Sequence, residues 1–226
     1  MSTLAALAAA QPLPPGTTRL YLCRHGETNY NLEGRFQGRG IDSDLNALGV
    51  AQARALGEAF RAIPLQGVFS STLSRAKATA AMISQHHTGV VTSTIDGVEE
   101  MGYGENEGKK LAESKHLLRA VIDQWNAGDM GAAWPGGESA IDVERRGTAA
   151  LRELARRSLD HVAIVCHGRF NRVVLASLLH GDLRQMEAIE QDNTCVNVLD
   201  FDRATGTFTA HLVNCTDHWR FLEPPQ

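Results

Sequence analysis

Two short apolar runs in this chain stop abruptly at a histidine. Arg19 to Cys23 gives way to Arg24-His25-Gly26-Glu27-Thr28, and His161 to Cys166 gives way to His167-Gly168. A run of five or six apolar and β-branched residues bounded by polar or glycine-rich sequence reads as a buried strand. Gly67-Val68-Phe69 and Val90 to Ile95 read as two more. Helical patterns separate them. One starts at Asn46, with Leu48, Ala51, Ala55, Ala59 and Ile63 on one face and Pro64 closing it. A second, capped by Thr72 or Ser74, runs to about Gln85; others cover about Glu113 to Trp125, Ser139 to Arg157 and Asn171 to Leu179. Thr194 to Phe201 and Thr207 to Val213 flank Asp202 to Gly206 as a hairpin-like pair. This alternation predicts an α/β fold, a three-layer sandwich whose mostly parallel central sheet is flanked by helices on both faces. Ligands of such sheets bind beyond the carboxyl ends of the strands, where both histidine loops fall.

Composition narrows the class. The 226 residues are 43% apolar and carry 22 Lys+Arg against 26 Asp+Glu, a net charge of −4. A domain of about 200 residues buries about 70% of its unfolded surface and needs no disulfide or metal staple. Residues 18–226 are expected to form that single domain. Residues 1–17, alanine-rich and then proline-rich, are expected to be a flexible tail, and their short apolar stretch has no basic residue before it as a signal peptide would. The weak acidic balance gives no general attraction to nucleic acid, no apolar run approaches a membrane span, and a cytoplasmic location is expected. Cys23, Cys166, Cys195 and Cys215 are widely spaced, which suits reduced, buried thiols. None of the nine histidines has a helical metal-ligand spacing, so no metal site is expected.

Arg24 adjoins His25, and Arg75 opens the helix after the second strand. Two guanidiniums and two imidazoles converging above one sheet would bind a phosphate dianion, because guanidinium forks take phosphate oxygens in pairs. The plainer reading makes these arginines surface salt-bridge formers. Arg24 to Thr28 decides between them, since it resembles the signature of the histidine phosphatase superfamily, also called the phosphoglycerate mutase-like family. The resemblance runs from Arg19 to about Phe221. Asn31 and Arg35-Phe36-Gln37-Gly38 resemble its phosphate loop, and Ser70 to Ala76 the segment bearing the second arginine. Glu100 with Gly104 and Gly108 resembles the acidic motif, Pro135 to Ser139 the entry to the long helix, and Val165-Cys166-His167-Gly168 the second-histidine motif.

The resemblance implies a role for each position. His25 would take the phosphoryl group, while Arg24, Arg75 and His167 would hold its equatorial oxygens. Asn31, Gln37, Gly38 and the N–H of Gly168 would complete substrate binding. Glu100 would protonate the leaving oxygen and then activate water; the adjacent Glu99 is its rival, and the spacing to Gly104 favours Glu100. No cofactor is implied. The expected substrate is a small phosphorylated metabolite, and a homodimer is left open. The run Glu100-Met101-Gly102-Tyr103-Gly104 has methionine where the cofactor-dependent mutases carry a substrate-clamping arginine. Lys109 and Lys110 do not align cleanly with the mutase lysine. Phosphomonoester hydrolysis is therefore favoured over a cofactor-dependent phosphoglycerate mutase, with an inactive phospho-ligand scaffold more remote. Two other motifs compete. Gly102 to Lys109 resembles a nucleotide-binding loop, but its spacing is wrong and it carries Glu105 and Glu107. Cys166 and Arg172 have the spacing of cysteine-dependent phosphatases, a reading that requires an exposed, acidified thiol.

Overall fold

The computed structural model describes residues 3–113 and 115–219. Its six strands are β1 (Thr17–Arg24), β2 (Gly67–Ser70), β3 (Val91–Thr94), β4 (His161–Cys166), β5 (Val196–Asp202) and β6 (Phe208–Cys215), in the sheet order β3-β2-β4-β1-β5-β6. The pairs β3–β2, β2–β4 and β4–β1 are parallel, whereas β5 and β6 add antiparallel to β1. The helices are α1 (Thr3–Ala10), α2 (Asn29–Leu32), α3 (Ala47–Phe60), α4 (Ser74–Ser84), α5 (Lys115–Asn126), α6 (Ala140–Arg156) and α7 (Gly168–Leu175).

The continuous apolar strands follow from cover on both faces. Alternate residues point to opposite sides of a strand. Leu20, Leu22, Phe69, Val162, Ile164 and Cys166 therefore enter one cluster with residues of α5, α6 and α7. Tyr21, Cys23, Val68, Ala163 and Val165 enter the other with α3 and α4. This is the expected three-layer arrangement. No helix among the described residues is long and apolar enough to cross a membrane.

Three local expectations need correction. The segment expected to be a loose tail is helical over Thr3–Ala10, because Leu4 gives it an apolar residue to bury beside Leu56 and Phe60. The face of α3 is rotated from the one that Leu48, Ala51 and Ala55 suggest. Gly49, Gln52, Ala53, Leu56, Gly57, Ala59 and Phe60 are buried, whereas Leu48, Ala51 and Ala55 are only half-buried. Backbone approach explains the rotation, since Gly57 lies against the Met82 carbonyl and Gly49 against the backbone of Glu27. Finally, neither Thr72 nor the Ser74 side chain caps α4. Asp42, from the loop after α2, accepts the Ser74 N–H at 2.7 Å and its hydroxyl at 2.9 Å.

The contact at Gly49 ties the fold to the histidine loop. A Cβ on Gly49 would lie 2.0 Å from the Glu27 carbonyl oxygen, and one on Gly26 would lie 2.4 Å from the Gly49 carbonyl oxygen. Asn46 caps α3 at Gly49 and donates to Glu27, while Gln52 accepts the Glu27 N–H. We expect Gly49→Ala to destabilise the fold by about 3 kcal/mol through forced backbone movement; an unfolding free energy from urea titration within about 0.5 kcal/mol of the parent's would refute this close packing.

Candidate active site

The parallel register of β1 and β4 pairs Arg24 with Cys166, so both strands end at the same level. The N–H of His25 donates to the Cys166 carbonyl at 3.1 Å, and the two imidazole rings lie 5.2 Å apart, tilted by 58°. Both rings are buried. His25 Nδ1 lies 2.7 Å from the Gly26 carbonyl oxygen, which can only accept. Nδ1 therefore carries the hydrogen and Nε2 keeps its lone pair. His167 Nε2 lies 2.7 Å from the Ser71 hydroxyl. Burial, with the Arg75 and Arg24 cations nearby, pushes the pKa of both imidazoles well below the ordinary histidine value.

Arg75 is fully buried at the start of α4. It donates to the carbonyls of Ile41 and Gly38 at 2.8 and 3.4 Å, and burial lowers its pKa to about 10, which still leaves it a cation at neutral pH. Arg24 donates to the Gln191 carbonyl at 2.6 Å. The Gln191 side chain is itself fixed by Asn171 and Asn197, and Asn197 donates to the Leu22 carbonyl in β1. Gly168 lacks the Cβ that would approach Arg24 Nε to 3.1 Å. Arg24 Nε, Arg75 Nε and His167 Nδ1 are buried without a hydrogen-bond partner. Buried donors left unpaired are costly unless a bound acceptor pairs with them.

Glu100 comes from the loop after β3. Its Oε1 accepts the N–H groups of Met101 and Phe170, both at 2.8 Å, and Oε2 accepts that of Arg169 at 3.1 Å, which seats the carboxylate on the first turn of α7. Arg146 of α6 holds this loop. Its guanidinium donates to the carbonyls of Gly97, Glu99 and Glu100 and, through Nε and Nη2, to both oxygens of Glu138. Glu99, the rival acid, accepts from the Gly97 N–H and lies 3.8 Å from both Arg39 and Arg146.

A cavity of about 300 Å³ opens above the histidines. Of the residues expected from sequence, Arg24, His25, Asn31, Gln37, Glu100 and Gly168 line it. Arg75 and His167 lie beneath it, fully buried. Asn31 Oδ1 is taken by the N–H and hydroxyl of Thr28, leaving its amide nitrogen as the donor for a ligand. Gln37 is bonded to Thr28 and Ser43. Gly38 is a support for Arg75, and its missing side chain leaves room for Glu107. Arg35 and Phe36 of the stretch that resembles the phosphate loop line the cavity as well, while sequence reasoning missed Tyr103, Leu111 and Leu118 as cavity walls and Arg172 and Gln191 as polar lining. Arg169, next to Gly168, is a further cation of the lining.

Both competing motifs fail on geometry. The Cys166 thiol is buried on the α6–α7 face, and burial raises its pKa far above the ordinary thiol value. In the loop from Gly102, Glu107 accepts the Tyr103 N–H, one of the loop's own donors, and packs beside Gly38 and Gly40.

Two outcomes follow from these contacts. Arg146→Met strands the partly buried Glu138 carboxylate and three carbonyls, and is expected to cost about 3 kcal/mol in chemical denaturation; a loss below 1 kcal/mol would remove the clamp. The low folded-state pKa of His25 and His167 makes the unfolded chain bind more protons below pH ~6.5. Stability should therefore be flat just above that pH and fall below it, each histidine contributing up to about 1.4 kcal/mol per pH unit. In His25→Gln, denaturation midpoints measured between pH 5 and 7 should fall less steeply, and an unchanged slope would contradict the assignment.

The family model of the histidine phosphatase superfamily (branch 1) matches residues 20–216. Among curated relatives, a 2,3-bisphosphoglycerate-dependent phosphoglycerate mutase of Gloeobacter violaceus is 32% identical over 212 residues, covering 91% of this chain and 95% of the relative. A broad-specificity phosphatase of Saccharomyces cerevisiae is 29% identical over 208 residues, covering 88% and 86%. Among solved structures, mycobacterial glucosyl-3-phosphoglycerate phosphatase superposes with a TM-score of 0.75 at 27% identity, covering 88% of this chain and 99% of that one. The matched region spans β1 to β6 and carries the motifs that converge on the cavity, so the chain belongs to branch 1 of the histidine phosphatase superfamily.

Proposed function

We propose that the protein is a phosphomonoesterase that hydrolyses a small phosphorylated metabolite through a phosphohistidine on His25, without a metal ion. The observation that carries this reading is the set of three unpaired buried donors, Arg24 Nε, Arg75 Nε and His167 Nδ1, beside an imidazole whose Nε2 is free. His25 is neutral at physiological pH and needs no separate base to attack. Its Nε2 forms a bond to phosphorus as the ester oxygen leaves on the opposite side. In this reading the Ser71 hydroxyl donates to His167 Nε2, 2.7 Å away, which leaves Nδ1 as an N–H donor for a phosphoryl oxygen. Arg24 and Arg75 supply fixed positive charge, so the transition state is stabilised by groups already in position.

Glu100 gives a proton to the leaving oxygen and later removes one from the water that attacks phosphohistidine; phosphate is released and His25 is restored. The N–H groups of Met101, Phe170 and Arg169 fix the Glu100 carboxyl group on the cavity wall. Hydrolysis is favoured over mutase activity because Met101 is fully buried in the apolar core and Lys109 and Lys110 do not line the cavity. Neither position supplies the clamp for a second substrate that the mutases use.

The purified protein should release phosphate from p-nitrophenyl phosphate in the presence of excess EDTA, and His25→Ala should lose at least roughly a thousandfold in kcat. Unchanged turnover in that variant, or activity lost to EDTA and restored by a divalent cation, would sink the reading. Glu100→Gln should slow alkyl phosphates far more than p-nitrophenyl phosphate, whose leaving group needs no proton.

A further inference from the structure

Arginines in and near the core are held in two ways. Arg19 is clamped by Asp200, Arg146 by Glu138 and Arg169 by Glu187. The two arginines of the phosphoryl site have no ion pair among the described residues and are held by backbone carbonyls instead, Arg75 by Ile41 and Gly38, and Arg24 by Gln191. A carboxylate partner would cancel the charge that a phosphate dianion needs, whereas a carbonyl oxygen fixes a guanidinium and leaves its full charge in place. We propose that Gln191 is a positioning residue of the phosphoryl site, acting through Arg24, and that the buried amides of Asn171 and Asn197 hold it in that role. This inference rests on the phosphatase reading and adds a support that lies outside the motifs of that site.

The contact with the site is the Gln191 carbonyl. Arg24 Nη1 donates to it at 2.6 Å, and Arg24 Nε, buried without a partner, is left for the ligand. Gln191 lies in the loop before β5, so no sheet ladder fixes that carbonyl. The side chain does so instead. Its amide forms a reciprocal pair with that of Asn197: Gln191 Nε2 donates to Asn197 Oδ1 at 2.9 Å, and Asn197 Nδ2 donates back to Gln191 Oε1 at 3.0 Å. The second hydrogen of Gln191 Nε2 goes to the Glu190 carbonyl at 2.7 Å, and Oε1 also accepts from Asn171 Nδ2 at 3.0 Å. Each donor and acceptor of this amide is therefore taken, so Gln191 lines the cavity without offering its side chain to the substrate.

Asn197 and Asn171 tie the carbonyl to the two elements that carry the histidines. Asn197 donates its other hydrogen to the Leu22 carbonyl at 2.9 Å, and it stands opposite Leu22 in the β1–β5 register. Asn171 lies on α7, and its backbone N–H donates to the His167 carbonyl at 3.0 Å. The same loop also reaches His25, whose carbonyl accepts the Thr194 N–H at 3.1 Å. Thr194 holds a φ of 53°, a strained conformation for a β-branched residue that persists where the surroundings over-determine it. Buried amides bonded in this way are rigid, and rigidity matters here because a misplacement of about 1 Å can cost about a hundredfold in rate.

A mutant cycle tests this, with Gln191→Met as the variant that keeps the length of the side chain and removes its hydrogen bonds. Hydrolysis of p-nitrophenyl phosphate and inhibition by orthovanadate, which mimics the phosphoryl group in flight, are measured in the wild type, Gln191→Met, Arg24→Gln and the double variant. We expect Gln191→Met to lower kcat/KM and to raise the vanadate inhibition constant, each by about tenfold or more. A smaller folded fraction would lower kcat alone and leave the inhibition constant unchanged. In the Arg24→Gln background, Gln191→Met should change either quantity by less than about twofold, because the group it positions is gone. An inhibition constant within about twofold of the wild type in folded Gln191→Met would overturn the proposal, as would an equal loss with and without Arg24. If urea unfolding shows that Gln191→Met does not fold, the same cycle is read on Asn171→Ser, which leaves the amide pair intact; there a rise of the inhibition constant below about twofold, or one that persists in Arg24→Gln, overturns it. A wild type inert toward p-nitrophenyl phosphate would instead remove the phosphatase reading, and this inference with it.

Discussion

The parallel pairing of β1 with β4 is the constraint on which the site depends. It sets Arg24 opposite Cys166, so the two chains leave the sheet side by side and their first residues, His25 and His167, stand with rings 5.2 Å apart. A slip of one residue would send every side chain of one strand to the other face, trading core residues between the two apolar clusters and separating the imidazoles. The neighbouring strand β2 extends the same logic, because it delivers Ser71 to His167 and leads into α4 with Arg75. The helices then lock the strand ends in place. Gly49 of α3 packs on the loop after His25, and α7 presents its first N–H groups to Glu100.

Electrostatics at this point run against stability. Two imidazoles are kept neutral, a guanidinium is fully buried, and three donors lack partners. Such strain persists where the surrounding packing over-determines it, and here the apolar clusters on both faces of the sheet supply that packing. A net charge of −4 is compatible with phosphate binding because a monoester meets one pocket and not the whole surface. What matters is that Arg24, Arg169 and Arg172 line one cavity, while the nearby Glu187 and Glu138 are already paired with arginines and Glu100 is the acid on the cavity wall.

Much of the site was legible because its residues sit at strand ends and in short contiguous motifs. Arg24, His25, Glu100 and His167 could be named from local sequence, and their convergence follows from any α/β sheet whose ligands bind at the carboxyl edge. The choice between Glu99 and Glu100 rested on spacing; the structure shows the physical difference, with Glu100 on the α7 N-terminus and Glu99 turned toward Arg146 and Arg39. Arg146 was invisible as a support because it lies on α6, far along the chain from the carbonyls it binds.

The α/β layering, the positions of the strands and the candidate residues at their carboxyl ends were determined by the sequence itself, through apolar runs and motifs that act over a few residues. Tertiary structure decided the rest. It turned α3 onto the face that carries Gly49 and Gly57 together with Leu56 and Phe60, because close backbone contact needs glycine at the points of approach. It gave the cap of α4 to Asp42 from a separate loop, and set α1 on the core through Leu4. These outcomes depend on distances between segments remote in sequence, which no local pattern encodes.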